Sequence, residues 1–290
     1  MKNKPYVLYE RAPGASGSTE RVNIFVPSGS GYICYSLGHV VDNNINADNW
    51  RIVEAYCCDE EGERLFGIVD GGEWEMAIML EGRPDFIGGN NHGNEIVEEF
   101  TVSVDGEEYD IASVTEKKEF KTVVVFEKTK MFDPSETSMK VAVHEKNYIF
   151  DEQGLSLTQY VSWMNICDVT CGYMAMLPVI REDGWNNTLK VTGTDGNIFP
   201  VEYSLSKNGT SPTLGKVGGV LSAEIASDAG FTASFEMTKN VGIARDEMFF
   251  VTSSPTRNKM YFLCTDQQKK YVTSIGECWK TQTKYKIKLY

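Results

Sequence analysis

Long apolar runs are absent from this sequence of 290 residues. The N-terminal segment MKNKPYVLYERAPGASG lacks the run of about seven or more apolar residues that a secretory signal needs, and no run is long enough to span a bilayer. The sequence therefore predicts a soluble chain without a membrane span that is synthesised in a cytoplasm. A phage particle, or an extracellular location after removal of a signal peptide, is also compatible with this pattern.

Paired cysteines and clustered basic residues are missing as well. The seven cysteines are an odd number without a CxxC pair, which predicts reduced thiols and neither a zinc site nor a redox motif. The 28 Lys and Arg against 41 Asp and Glu give a net charge of −13, which repels nucleic acid and anionic membranes. The motifs of serine hydrolases, P-loop proteins and dinucleotide-binding proteins are also absent, so no cofactor is predicted.

Helical periodicity is nearly absent, whereas alternation of apolar and polar residues is frequent. Segments such as KTVVVFEK, KVAVHEKNYIF and LSLTQYVSWM have the period of half-buried strands, and Asp105-Gly106, Asp195-Gly196 and Asn208-Gly209 are typical of hairpin turns. The sequence therefore predicts an all-β, antiparallel two-sheet sandwich of jelly-roll type with few short helices. It is predicted as a single domain over residues 1–290, with segment 206–219 as the one candidate for a long loop or boundary.

The predicted hairpin over residues 140–164 carries the most informative pattern. Because side chains alternate along a strand, one face of its first strand presents His144, Lys146 and Tyr148. One register of the return strand, which the sequence does not fix, places Gln159 and Trp163 beside these three groups. Such a mixture of aromatic, amide, ammonium and phenol groups suits a saccharide groove. In the alternative interpretation, Trp163 lies in the core and the other three residues lie on a solvated edge.

The segment IGGNNHGNE provides a second group of candidate residues. Its glycines permit positive φ, so that Asn90, Asn91 and His92 would present hydrogen-bonding groups to a ligand at a sheet edge. HGNE also resembles the motif that supplies two zinc ligands in the zinc carboxypeptidase and aspartoacylase-like family, in which a later His completes the site. The resemblance implies a metal-dependent hydrolase with His92, Glu95 and His144 as ligands, here on an unrelated β scaffold. A plain Gly-Asn turn with a solvent-facing His is the third interpretation.

A third group of candidates lies upstream and includes His39 and Arg51. Arg51 opens the alternating strand RIVEAY, where its guanidinium would bind a carboxylate through two parallel hydrogen bonds. Pairing of Arg51 with a surface acid is the alternative, and His39 is predicted to bind substrate. In the nearby segment GEWEMAIML, Trp74 alternates with apolar residues and is predicted to lie in the core, with Glu73 and Glu75 on the opposite face.

The predicted all-β chain carries His-x-Lys-x-Tyr on one strand face, a neighbouring Gln and a separate Arg. In this combination of features it resembles the β-jelly-roll polysaccharide lyases. The resemblance implies β-elimination on a uronate-containing glycan. Arg51, Gln159 or Asn90 would neutralise the uronate carboxylate in that reaction. Lys146, Trp163 and His39 complete the predicted substrate-binding set.

Proton transfer in the predicted elimination is assigned to Tyr148, which would remove the C5 proton and protonate the leaving oxygen. The ammonium of Lys146 or an imidazole beside Tyr148 is expected to lower the pKa of its phenol. His92 and His144 are the other candidates for this catalytic role.

Binding of a glycan without catalysis is the main alternative function. Large β-sandwich proteins without a secretion signal also occur on phage tails and other particle surfaces, where they bind cell-surface glycans. The same aromatic and amide groups would serve such binding. The predicted partner is thus an acidic polysaccharide or a cell-surface glycan, and homo-oligomerisation is left open.

Overall fold

The computed structural model describes residues 3–11, 14, 17–71, 73–89, 92–182, 185, 187–195, 198–204, 214–242, 248–254, 256–265 and 270–290. Asn90, predicted to bind substrate, lies outside the described residues, as do residues 206–213 of the predicted loop. Residues 214–218 of that predicted loop form a strand. The single-domain organisation therefore stays a prediction.

Nearly all of the described secondary structure is β, as the alternating sequence pattern predicts. The strands in chain order are β1 (Tyr6–Glu10), β2 (Ser18–Ser28), β3 (Gly31–Asp42), β4 (Ala47–Cys58), β5 (Arg64–Asp70), β6 (Ala77–Leu80), β7 (Phe86–Gly88), β8 (Glu95–Val104), β9 (Glu107–Tyr109), β10 (Lys118–Glu119), β11 (Val123–Asp133), β12 (Glu136–Asp151), β13 (Gly154–Trp163), β14 (Asp168–Ile180), β15 (Asn187–Gly193), β16 (Ile198–Ser204), β17 (Leu214–Gly218), β18 (Val220–Ser227), β19 (Phe231–Val241), β20 (Met248–Ser253), β21 (Arg257–Thr265), β22 (Tyr271–Val272) and β23 (Cys278–Leu289). A short 3-10 helix covers Ile111–Ser113. No described helix is long and apolar enough to cross a bilayer.

The strands form two large sheets. Sheet I has the spatial order β16-β15-β18-β19-β23-β13-β12-β11-β8-β9, with antiparallel neighbours throughout. Sheet II has the order β10-β1-β2-β3-β4-β5-β14-β21-β20-β17, with β6 and β22 also beside β14 and β7 beside β6. A short parallel pairing of β4 with β8 joins the two sheets. The predicted all-β sandwich is confirmed.

The sheets pack face to face because their strands bury every second side chain. In β11, alternate residues from Val123 to Asp133 are buried. Tyr35 of sheet II and Phe150 of sheet I meet in the interior with ring centroids 5.6 Å apart. Burial of each such aromatic side chain stabilises the fold by roughly 2–3 kcal/mol. The apolar core therefore fills most of the space between the sheets.

The predicted hairpin at Asp105-Gly106 connects β8 with β9. The two residues have φ of 54° and 87°, which is the left-handed region that a tight two-residue turn requires. The carboxylate of Asp105 accepts hydrogen bonds from the backbone N–H groups of Lys121 and Thr122, at 2.7 and 2.9 Å. The turn is thereby fixed to the start of β11.

Candidate functional site

The polar face of β12 points into the sandwich and not into an open groove. The register pairs Lys146 with Gln159, so the hairpin adopts the alignment that brings Gln159 beside the polar face. His144, Lys146, Tyr148 and Gln159 are nevertheless all fully buried. The predicted saccharide groove on this face is therefore wrong. The sequence pattern identified the residues that share a face, but that face is the interior one.

The segment before β6 covers these buried groups. The backbone N–H of Met76 donates to Oε1 of Gln159 at 2.8 Å, and the hydroxyl of Tyr285 donates to the carbonyl of Trp74 at 2.9 Å. The ring of Trp74 lies 4.9 Å from that of Tyr285, so Trp74 is a core residue, as predicted. Glu75 is buried too, and its carboxylate accepts from the hydroxyl of Tyr148 at 2.8 Å.

Glu95 is the central residue of the buried polar groups, which we call the interior network: Asn49, Arg51, Glu75, Glu95, Glu127, Thr129, His144, Lys146, Tyr148 and Gln159. Its Oε1 lies 2.6 Å from Oγ1 of Thr129, 2.9 Å from Nδ1 of His144 and 3.1 Å from Nζ of Lys146. Burial by itself would raise the pKa of Glu95, but the neighbouring Lys146 and His144 hold the pKa of this carboxyl well below its usual value. Glu95 is therefore ionised.

Lys146 joins a second carboxylate to the interior network. Its ammonium lies 2.7 Å from Oε2 of Glu127, whose Oε1 accepts from the backbone N–H of Trp50 at 2.6 Å. Burial raises the pKa of Glu127 to about 7, with a further contribution from the charge of Glu95. Burial would lower the pKa of Lys146, but the carboxylates of Glu127 and Glu95 raise it overall. The ammonium thus lies between two buried acids.

Tyr148 does not have the lowered pKa that the lyase interpretation expects. Burial raises the pKa of its phenol well above the ordinary value, and the charge of Glu75 raises it further. Burial likewise lowers the pKa of His144. The expectation that Lys146 activates Tyr148 as a base is wrong, because desolvation and a carboxylate outweigh the ammonium.

Arg51, predicted to bind a substrate carboxylate, is also part of the interior network. Its Nε donates to Oδ1 of Asn49 at 2.6 Å, and its Nη2 lies 3.5 Å from Oε2 of Glu95. The side chain is 2% exposed. Arg51 therefore neutralises an internal carboxylate, so its predicted pairing with a ligand or with a surface acid is wrong.

Trp163 and His39 lie apart from the interior network. Trp163 is buried in a second apolar cluster against Trp279, with ring centroids 4.8 Å apart. The ring of His39 lies between the carboxylates of Glu20 and Asp48, at 2.9 and 2.7 Å. Trp163 thus occupies the core, in agreement with the alternative interpretation of the hairpin.

The metal site implied by HGNE does not form. His144 and Glu95 are in contact, but His92 contacts Asp85 and Glu73 instead. Among the described residues, no group of three or more His, Cys, Asp or Glu side chains is arranged to hold a metal ion. The proposed ligand set of His92, Glu95 and His144 is therefore wrong.

The glycine-rich turn that carries His92 has the backbone expected from the sequence. Gly88, Gly89 and Gly93 have φ of 78°, 74° and 63°. A Cβ on Gly93 would lie 2.0 Å from the carbonyl oxygen of Ile45, so only glycine fits there. The turn places His92 at the surface, where its side chain is 29% exposed.

His92 is held between two carboxylates. Its Nδ1 lies 2.5 Å from Oδ1 of Asp85, and its Nε2 lies 3.7 Å from Oε1 of Glu73. Glu73 also forms an ion pair with Lys259 of β21. Burial lowers the pKa of Lys259 to about 8, although the adjacent carboxylate favours the charged form. These four ionisable side chains come from three separate parts of the sequence.

Four half-buried aromatic rings extend from His92 across the outer face of sheet II. The ring of Phe86 lies 5.0 Å from His92 and 5.2 Å from Tyr173. Tyr173 lies 4.9 Å from Tyr261, which stacks on Phe250 at 4.3 Å with an interplanar angle of 6°. We call this group the aromatic surface: Phe86, His92, Tyr173, Phe250 and Tyr261, with Glu73 and Asp85 beside His92 and the ammonium of Lys259 over the ring of Tyr261.

The sequence indicates His92 as a site residue but not the other members of the aromatic surface. Tyr173, Phe250 and Tyr261 are brought together only by the pairing of β14, β20 and β21. Their outward direction follows from alternation within each strand, but no local motif marks them. Knowledge of the strand order was therefore needed to find this surface.

Removal of Glu95 is expected to destabilise the fold strongly. Glu95→Ala leaves Lys146 and Arg51 with fewer compensating charges in the interior and His144 without its hydrogen-bond partner, which should lower the free energy of unfolding by about 3–5 kcal/mol. Urea unfolding measures the change. Glu98→Ala, on the same strand and with a partly exposed ion pair to Lys130, should cost less than about 1 kcal/mol. Equal effects of the two substitutions would contradict the central role of Glu95.

Glu127 is expected to make stability depend on pH. Its pKa is about 7 in the folded protein against an ordinary value of 4.5, so the folded state binds the proton more tightly. Protonated Glu127 therefore stabilises the folded state fully below about pH 4.5, and this stabilisation is lost as the pH rises through about 7. Relative to Glu127→Gln, the wild-type free energy of unfolding should fall by on the order of 2 kcal/mol from about pH 5 to about pH 8. A constant difference in urea unfolding experiments would show that Glu127 titrates normally.

No protein-family model matches the sequence, and no curated protein sequence matches it. Solved structures nevertheless share its fold. The galactosidase domain of the alpha-galactosidase-sucrose kinase AgaSK aligns with 98% of this chain at a TM-score of 0.53 and 8% identity, and the alignment covers 41% of that protein. The Slr1438 protein from Synechocystis sp. PCC 6803 aligns with 92% of this chain, at a TM-score of 0.52, 7% identity and 96% coverage of its own length.

The GH36 alpha-galactosidase AgaA from Geobacillus stearothermophilus, in complex with raffinose, aligns with 92% of this chain at a TM-score of 0.50 and 7% identity. This chain spans about two fifths of the two galactosidase chains, 41% in each case. The structures named here include alpha-galactosidases and no polysaccharide lyase. The comparisons therefore establish a β-sandwich fold that also occurs in carbohydrate-active proteins.

Proposed function

We propose that this chain binds a carbohydrate at the aromatic surface beside His92. The observation that supports this most directly is the row of half-buried rings from Phe86 to Phe250 next to a cluster of ionisable side chains. Aromatic rings pack against the C–H groups of a pyranose, while imidazole, carboxylate and ammonium groups form hydrogen bonds with its hydroxyls. The aromatic surface supplies both kinds of contact within one area.

The charges around His92 favour a neutral sugar over a uronate. The ammonium of Lys259 is already paired with Glu73, and both ring nitrogens of His92 face carboxylates. A uronate carboxylate would have to displace Glu73 and approach a protein of net charge −13. A neutral saccharide needs no such displacement. The acidic polysaccharide predicted from the sequence is therefore the less favoured ligand class.

The arrangement supports recognition more strongly than catalysis. The groups predicted for β-elimination, Tyr148 and His144, are fully buried in the interior, where Tyr148 donates to Glu75 and His144 contacts Glu95. The rings of the aromatic surface, by contrast, are partly exposed on the outer face of sheet II. Non-catalytic glycan binding, the alternative at the sequence level, is thus the function that the geometry supports best.

Binding should depend on Tyr261. Tyr261→Ala removes the ring that contacts both Tyr173 and Phe250, and should weaken binding about tenfold, which corresponds to about 1.4 kcal/mol. Calorimetric titration with a panel of neutral oligosaccharides and uronates measures the change. The panel includes raffinose because the alpha-galactosidase AgaA, of which 41% aligns with this chain, was solved in complex with it. Tyr160→Ala, which removes a half-buried tyrosine beneath Lys280 on sheet I, serves as the control. Unchanged affinity in Tyr261→Ala would disprove this binding surface.

Uronate polysaccharides should not be cleaved. Because the Tyr148 hydroxyl is fully buried and donates to Glu75, it is unable to reach a substrate proton in this conformation. We expect no increase in ultraviolet absorbance from unsaturated uronate products with any substrate in a uronate panel. An increase that disappears in Tyr148→Phe, with the fold retained, would establish the lyase reaction and contradict this expectation.

A further inference from the structure

A cleft of about 470 Å³ lies on the outer face of sheet I, on the opposite side of the sandwich from the aromatic surface. It crosses five neighbouring strands, β15, β18, β19, β23 and β13. We call it the outer cleft, and its principal polar side chains are Lys190, Ser222, Glu224, Ser234, Glu236 and Lys284. Its volume is within the range of small-ligand sites.

The strand register explains why these side chains line one cleft. Lys190 lies opposite Glu224, and Glu224 lies opposite Ser234. In the next row, Glu236 lies opposite Lys284. Because the residues of each row project from the same face of neighbouring strands, donors and acceptors alternate across the cleft.

The charged groups of the outer cleft are not engaged with one another. Oppositely charged cross-strand residues are common partners for ion pairs. Here, within the part of the chain that the structure describes, no ion pair joins Lys190 to Glu224 or Lys284 to Glu236. Their ammonium and carboxylate groups therefore remain free to bind a ligand.

We propose that the outer cleft is a second saccharide-binding site, which takes a neutral mono- or disaccharide. Each hydroxyl of a sugar both donates and accepts hydrogen bonds, so it can use the carboxylate of Glu236 and the ammonium of Lys284 together. Ser222 adds a hydroxyl that both donates and accepts, and Ser234, whose hydroxyl donates to the carbonyl of Lys286, adds an acceptor. The choice of a sugar as ligand class rests on the proposed function, whereas the location of the site does not.

Two sites on opposite faces would make the chain bivalent. A glycan-covered surface or a branched polysaccharide that reaches both faces would be held more tightly than either site alone allows, because the second contact forms at a high local concentration. The outer cleft lacks the stacked rings of the aromatic surface. Its individual affinity is therefore expected to be the lower of the two.

The test uses a dense array of neutral oligosaccharides, including raffinose, and the full chain. Glu236→Ala combined with Lys284→Ala disables the outer cleft without a change in net charge, and Tyr261→Ala disables the aromatic surface. We expect each to weaken apparent affinity about tenfold to hundredfold, and the two together to abolish binding. Lys128→Ala with Glu145→Ala removes a similar cross-strand pair outside the cleft and should have no effect.

The outcomes separate the two proposals. If the cleft variant binds like the wild type and Tyr261→Ala alone abolishes binding, the outer cleft is not a site and the proposed function stands. If the cleft variant alone abolishes binding and Tyr261→Ala has no effect, the aromatic surface is not the site and the outer cleft is. Failure of the wild type to bind any glycan on the array would overturn both. Circular dichroism verifies that each variant is folded.

Discussion

The charge of Glu95 is the constraint on which the interior of this protein depends. An ionised carboxylate between two packed sheets carries a large desolvation penalty unless cations and hydrogen-bond donors surround it. Lys146, His144 and Thr129 meet this requirement at the start of β8, and Arg51 adds a second cation from β4. The residues that looked most like a reaction centre in the sequence are therefore the ones that neutralise a buried charge.

Because the interior charges are compensated, the groups available to a ligand lie on the two outer faces. A network whose charges compensate one another has little capacity left for a substrate, and its side chains are buried from solvent. The outer faces differ in chemistry. Sheet II presents stacked rings beside His92, whereas sheet I presents alternating ammonium, carboxylate and hydroxyl groups in a cleft.

The sequence predicted the fold class, the Asp105-Gly106 hairpin and the set of residues that share a face of β12, because alternation and turn composition are local properties. It did not predict which side of the sheet that face occupies. A face with His144, Lys146 and Tyr148 is polar by residue type, and only the compensating groups from β4, β8 and β11 make its burial tolerable. The surroundings of His92 were missed for a similar reason, since Glu73 comes from the segment before β6 and Lys259, which pairs with Glu73, comes from β21.

The interior network and the aromatic surface nevertheless share two short segments of the chain. In residues 73–76, Glu73 pairs with Lys259 at the aromatic surface, and the carboxylate of Glu75 accepts from Tyr148 in the interior. Likewise, His92 is three residues from Glu95, and between them the carbonyl of Gly93 accepts a hydrogen bond from the backbone N–H of Gly88 at 2.9 Å. Both segments are short, so the buried charges and the proposed sugar-binding surface draw their side chains from the same two stretches of the chain. The residues that neutralise the interior therefore alternate with residues that form the surface.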